Sequence, residues 1–236
     1  MRIIKCSDYE ELSRRAAEFV AAQITLKPDC VLGLPTGSTP VGMYAHLAEK
    51  GIDFSEVTTF NLDEYYPIKR ENPQSYHAFM TENLYSKVNL KPDNIFIPNG
   101  EAADPEAECK SYERSIMERG GLDMQVLGIG QNGHIGFNEP GEMLNSYTHM
   151  TKLTQNTIEA NARFFSSMDE VPKQALTMGV ATIMRAKRIL LLASGESKAR
   201  VVKALQGSVI DPEIPATILA AHNDVTVIAD AAALGE

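Results

Sequence analysis

An α/β fold, built on a mostly parallel sheet with helices on both faces, is the class this sequence predicts, and three observations predict it. Apolar runs alternate with amphipathic stretches along the whole chain, the pattern of successive βαβ units. Several of these runs, such as RILLLA, are continuously apolar, as expected of strands buried on both faces. A glycine-rich segment, LGIGQNGHIGFNEP at 127–140, grows directly out of another such run. In α/β sheets, turns at the carboxyl ends of strands commonly present ligand-binding groups.

Taken in order, residues 8–26 read as a helix and CVLGL at 30–34 as a buried strand. The PTGSTP turn leads into a second helix, VGMYAHLAEK at 41–50, followed by the strand VTTFNL at 57–62 and a proline-bearing loop. A helix at 74–87, the strand NIFIP at 94–98, an acidic helix at 104–119 and the strand MQVLGI at 124–129 continue the alternation. Residues 144–165 are polar, Thr-rich and weakly periodic, so they are expected to form an excursion over the preceding loop. After them, RILLLA at 188–193 is a buried strand, SGESKARVVKALQG at 194–207 a helix opened by a serine cap, and VTVIAD at 225–230 the last strand. No linker or internal repeat divides the 236 residues, of which 44% are hydrophobic and 22% charged. We therefore read 1–236 as a single domain with a lid segment at about 144–175.

Composition excludes several function classes. A net charge of −9 without a clustered basic face argues against a nucleic-acid footprint. No apolar run approaches a membrane span of roughly 18 residues, and the amino terminus lacks a secretory h-region, so a cytoplasmic location is expected. Cys6, Cys30 and Cys109 are widely spaced and odd in number; they read as free thiols, with neither a metal site nor a disulfide framework.

Three loops carry candidate chemistry. GLPTGSTP at 33–40 can aim amides and hydroxyls of Thr36, Gly37, Ser38 and Thr39 at one anion, or it is a tight turn in which Ser38 or Thr39 caps the helix. FNLDEYY at 60–66 ends a strand with Asp63, which is either a site carboxylate or a solvated loop charge. In GIGQNGHIGFNEP, His134 can move protons near neutral pH, and Glu139 follows five residues later. The segment is neither a dinucleotide fingerprint nor a Walker loop.

These three loops, together with NARFF and SGESKAR, occur in an order and spacing that resembles the glucosamine-6-phosphate deaminases over nearly the whole chain. The resemblance implies a Rossmann-like fold and conversion of glucosamine 6-phosphate and water to fructose 6-phosphate and ammonia, in amino-sugar catabolism, without metal or organic cofactor. It assigns ring opening to His134, orientation of that histidine to Glu139, proton transfer between carbons to Asp63, and the phosphate to Thr36, Gly37, Ser38, Thr39, Arg163 and Lys198. Some relatives carry aspartate where this chain has Asn132, which cannot ionise, so a shifted pH profile is expected here. The related 6-phosphogluconolactonases, which typically follow a DGH segment with a different continuation, are the alternative. The expected partner is a small sugar phosphate, for a monomer or homo-oligomer. Larger relatives bind an N-acetylated sugar phosphate between subunits. Here Glu142, Met143, His149 and Thr151 stand in that region, with acid and apolar groups in place of phosphate partners, so no such activation is expected.

Overall fold

Strands with apolar side chains at every position bury both faces, and here they do so between two helical layers. The structure, a computed structural model, describes residues 1–162, 165, 167 and 170–236. In chain order the elements are β1 (Arg2–Cys6), α1 (Tyr9–Leu26), β2 (Val31–Leu34), α2 (Val41–Glu49), β3 (Thr58–Asn61) and β4 (Asp63–Tyr66). Next come α3 (Tyr76–Asn83), β5 (Ile95–Phe96), α4 (Pro105–Glu118), β6 (Met124–Gly128), β7 (His149–Lys152) and α5 (Gln155–Ala162). The chain ends with β8 (Gln174–Thr177), α6 (Val180–Met184), β9 (Ile189–Ala193), α7 (Ala199–Leu205), β10 (Val225–Asp230) and α8 (Ala231–Leu234).

Seven strands form a wholly parallel sheet in the order β1-β10-β9-β6-β2-β3-β5. Alternate side chains face opposite layers. Val31, Leu127, Leu191 and Val227 pack with Ile116 of α4, Val202 of α7 and Ala233 of α8. Leu32, Val126, Leu190 and Ile228 pack with Leu12 and Val20 of α1, Met43 of α2 and Met80 of α3. The helix expected at 8–26 is α1, where the Asp8 side chain accepts from Glu11 N and caps the first turn.

Several expectations needed correction. The edge strand β1 went unread, because RIIKC is short and only Cys6 is fully buried. The helix expected at 74–87 stops at Asn83, where Leu84 leaves helical geometry and a 3₁₀ turn, Tyr85–Lys87, follows. That break turns the Tyr85 hydroxyl inward to donate to Asn61 Oδ1 at 2.7 Å. The strand expected at 94–98 pairs only over Ile95–Phe96. Ser194 caps no helix; its hydroxyl donates to Asp230 Oδ2 at 2.5 Å, and a 3₁₀ turn at Glu196–Lys198 precedes α7.

The excursion at 144–165 contains a strand and a helix. β7 pairs antiparallel with β8, and β8 with β4, in a second, three-stranded sheet. The sequence HMTK has no apolar face, so period-2 patterning could not announce β7.

Candidate active site

Strand order decides which loops meet. After β2 the chain runs outward through β3 to β5, then returns to the other side of β2 with β6 and proceeds to β9 and β10. The boundary between β2 and β6 is thus a topological switch point, where loops leaving the carboxyl ends diverge and open a crevice. The loop with Thr36–Thr39 follows β2 and the loop with His134 follows β6. Asp63 follows β3, and Lys198 follows β9. Neighbouring strands lie about 4.8 Å apart, so the ends of β3 and β6 stand about 10 Å apart across β2.

The loop after β6 turns tightly, with Gly130 N donating to His134 O at 2.9 Å and Gly133 N to Gly130 O at 3.0 Å. A Cβ on Gly130 would lie 2.4 Å from the His134 ring, so only glycine lets the imidazole lie against this backbone. His134 Nδ1 is buried 3.3 Å from Glu139 Oε2 without a formed hydrogen bond, and protonation of the ring would make the two an ion pair. Asn132 supports both partners. Its Nδ2 donates to Glu139 Oε2 at 2.7 Å, and its Oδ1 accepts from the His134 backbone N at 3.2 Å. Burial raises the Glu139 pKa, but His134, Asn132 and Thr157 outweigh it and hold the group below the ordinary carboxylate value.

The amide of Asn132 thus orients the carboxylate, while its oxygen takes the main-chain N–H rather than the ring. In Asn132→Asp, a second carboxylate would face Glu139 Oε2 in place of a donor. Two close carboxylates favour protonated forms. We expect this variant to retain activity with the acid limb of its kcat/KM profile moved to higher pH. A profile superimposable on that of the wild type would show that position 132 does not couple to His134.

Asp63 opens β4, where its backbone pairs with Thr177. Thr177 Oγ1 accepts from Phe137 N at 3.1 Å, and Asn138 Nδ2 donates to Met178 O and Ile135 O, both at 2.8 Å. The bonds to Thr177 and Met178 tie the His134 loop to the end of β8, the strand that pairs with β4. The Asp63 side chain is buried, and among the described residues its carboxylate has no hydrogen-bond partner. Desolvation, with a smaller contribution from the charge of Glu64, pushes its pKa up to about 8. Glu64 is itself raised to about 7 by burial, although it accepts from the backbone N–H groups of Tyr65, Tyr76 and His77.

At the β2 end, Gly37 has φ 99°, a left-handed conformation that other residues rarely adopt. Tyr44 Oη donates to Pro35 O at 2.5 Å, Tyr9 Oη to Ser38 O at 3.1 Å, and Gly42 N to Tyr9 Oη at 2.9 Å. No side chain caps α2, so the capping alternative for Ser38 and Thr39 falls away. Among the described residues the hydroxyls of Thr36, Ser38 and Thr39 have no partner. A surface depression is lined by Tyr9, Ser38, Thr39, Val41 and Ser194, so the loops after β2 and β9 adjoin. Lys198 is partly buried, which lowers its pKa, and it has no ion-pair partner among the described residues. Arg163 lies outside the described residues.

Sequence reasoning missed the supports. Asp230 accepts from Ser194 Oγ, Gly195 N and Ala233 N, and so shapes the turn before Lys198; a carboxylate closing the apolar run VTVIA was the available signal. Thr177 and Tyr9 carried no signal, because each acts on a loop remote in sequence. Thr157 Oγ1 donates to Glu139 Oε1 at 2.9 Å, also without a local cue.

The sequence matches the family described as glucosamine-6-phosphate isomerases/6-phosphogluconolactonase over residues 7–228. It is 55% identical over 234 residues to a glucosamine-6-phosphate deaminase of Halothermothrix orenii, spanning 98% of this chain and 97% of that protein. A glucosamine-6-phosphate deaminase of Clostridioides difficile is also 55% identical, over 99% of this chain and 95% of that one. A solved monomeric glucosamine-6-phosphate deaminase superposes with a TM-score of 0.96 at 48% identity, covering 100% of this chain and 99% of its own. A 6-phosphogluconolactonase from Leishmania guyanensis has the same fold, with a TM-score of 0.77 at 21% identity over 98% of this chain and 97% of its own. Matched in sequence and in fold along almost its entire length, this chain belongs to the glucosamine-6-phosphate isomerase/6-phosphogluconolactonase family.

Proposed function

We propose that this chain is an isomerising deaminase that converts glucosamine 6-phosphate and water to fructose 6-phosphate and ammonia. Moving a proton from C2 to C1 of the sugar needs one base within reach of both carbons, in a site already oriented. The observation that supports this reading is Asp63, a buried carboxylate just after β3, without a hydrogen-bond partner among the described residues and with a pKa of about 8. Lactone hydrolysis, the other activity named in the family, needs activated water and no carbon base.

In the first step His134 takes the proton of the anomeric hydroxyl and gives one to the ring oxygen, and the ring opens to the amino aldose. Glu139 stabilises the imidazolium between these transfers. Ionised Asp63 then removes the C2 proton, forming an enolamine, and returns it to C1. Water adds at C2 of the resulting imine and ammonia leaves. Every proton moves between substrate, water and a side chain, so these steps call for neither metal nor organic cofactor.

The Thr36–Thr39 amides and hydroxyls, Lys198 and, through the NARFF resemblance, Arg163 hold the phosphate, while 144–175 serves as the lid. A Lys198→Ala variant is expected to raise KM about 10–100-fold, the scale of one charged hydrogen bond, with kcat little changed. Loss of kcat at unchanged KM would place Lys198 away from the phosphate. We also assign a cytoplasmic location and a monomer without an activator site, supported by the monomeric relative. Among the described residues no helix is long and apolar enough to cross a membrane.

Parallel assays test the activity. Ammonia release from glucosamine 6-phosphate, with no hydrolysis of 6-phosphogluconolactone above background, is the expected result. The reverse pattern would overturn the proposal.

A further inference from the structure

The excursion carries a polar contact into the acid/base pair. Thr154 precedes α5, and its carbonyl accepts from Ile158 N at 3.0 Å. Thr157 N donates to Thr154 Oγ1 at 3.3 Å, and the two threonine hydroxyls lie 2.9 Å apart. Thr157 Oγ1 in turn lies 2.9 Å from Glu139 Oε1. An ionised carboxylate can only accept, so the direction of the chain is set: Thr154 donates to Thr157, and Thr157 donates to Glu139. Glu139 therefore uses one oxygen for Asn132 and His134 and the other for α5.

Apolar packing seats the helix that makes this contact. Ile158, next to Thr157, and Phe165 pack on the cluster of Tyr65, Ile68, Phe137, Leu153 and Ala175. Phe137 belongs to the His134 loop, and Tyr65 to the strand that Asp63 opens. A seat built from both catalytic loops brings Thr157 to Glu139 only when α5 lies against them.

We infer that Thr157 is a positioning residue of the acid/base pair: its hydroxyl fixes the orientation of Glu139 beside His134, and does so only while α5 is seated. This rests on the deaminase reading above. Among the described residues the titratable group facing Glu139 is His134, and the remaining partners, Asn132 and Thr157, are neutral. Without the Thr157 hydroxyl the carboxylate holds its proton more strongly. The ionised form of Glu139 that supports His134 is then reached at higher pH.

The test compares wild type, Thr157→Val and Thr157→Ser for ammonia release across pH 5–9. We expect Thr157→Val to lower kcat about tenfold near neutral pH, the scale of one charge-assisted hydrogen bond, to move the acid limb of kcat/KM upward, and to leave KM within about twofold. Thr157→Ser should restore the limb. An unmoved limb in Thr157→Val, or an equal defect in Thr157→Ser, would overturn the inference, because loss of packing alone predicts both. A wild type that releases no ammonia would instead refute the deaminase reading.

Discussion

Asp63→Asn is expected to cut ammonia release from glucosamine 6-phosphate at least about 10³-fold while making the protein more stable at alkaline pH. An amide cannot accept the C2 proton, so the chemical step is lost, and sugar-phosphate binding by the loop after β2 should persist. The stability effect follows from linkage. The folded pKa of about 8 lies above the ordinary 3.8. Between these values the folded state binds more protons than the unfolded state, so stability falls as pH rises. The penalty is absent below about pH 4 and complete above about pH 8. Each pKa unit corresponds to about 1.4 kcal/mol, and a buried amide without a partner returns about 1–3 kcal/mol of the gain. A net gain of about 3–5 kcal/mol would raise Tm by about 6–20 °C at pH 8.5, whereas at pH 4, where the wild-type carboxyl is protonated, the variant should be no more stable than the wild type. Thermal unfolding at both pH values, beside the ammonia assay, decides the matter. Undiminished release removes Asp63 from the chemistry, and a Tm difference independent of pH removes its raised pKa.

His134→Gln should lower kcat by about 10²–10⁴, the usual contribution of a positioned acid/base group, with KM nearly unchanged. Glutamine keeps polar atoms beside Glu139 but cannot shuttle a proton. Because the ring also opens unaided in water, the variant has a distinctive signature. As its concentration rises, the rate of ammonia release should level off at the rate of uncatalysed ring opening. A rate that keeps climbing in proportion to enzyme would mean that His134 serves a different step. A defect confined to KM would place the histidine among the binding groups.

Much of this molecule was legible before any coordinates. Runs such as CVLGL and RILLLA announce strands buried on both faces, and Leu12, Ala16, Val20 and Ile24 recur at helical spacing on α1. The loops bearing Asp63, His134, Glu139 and Thr36–Thr39 were legible too, because glycine and proline punctuation marks where strands end. β1 and β7 were not, since an edge strand with one buried side chain and a strand reading HMTK lack the pattern that burial imposes. Nor could local sequence reveal that Ser194 answers Asp230, that Leu84 breaks a helix so that Tyr85 reaches Asn61, or that Thr157 meets Glu139.

By itself, then, the sequence determined the residue types available for proton transfer and anion binding, and which turns carry them. Backbone preference and hydrophobic period are local properties, readable within a few residues. Only the tertiary structure decided that these turns follow neighbouring strands of one sheet, because strand order β9-β6-β2-β3 is a choice among long-range pairings that no local pattern encodes. It also decided the proton affinities. Asp63 is raised because its carboxylate is buried, with a smaller push from the charge of Glu64, and Glu139 is lowered because His134, Asn132 and Thr157 surround it. Desolvation and partnership belong to the packed neighbourhood of a side chain, not to its place in the chain.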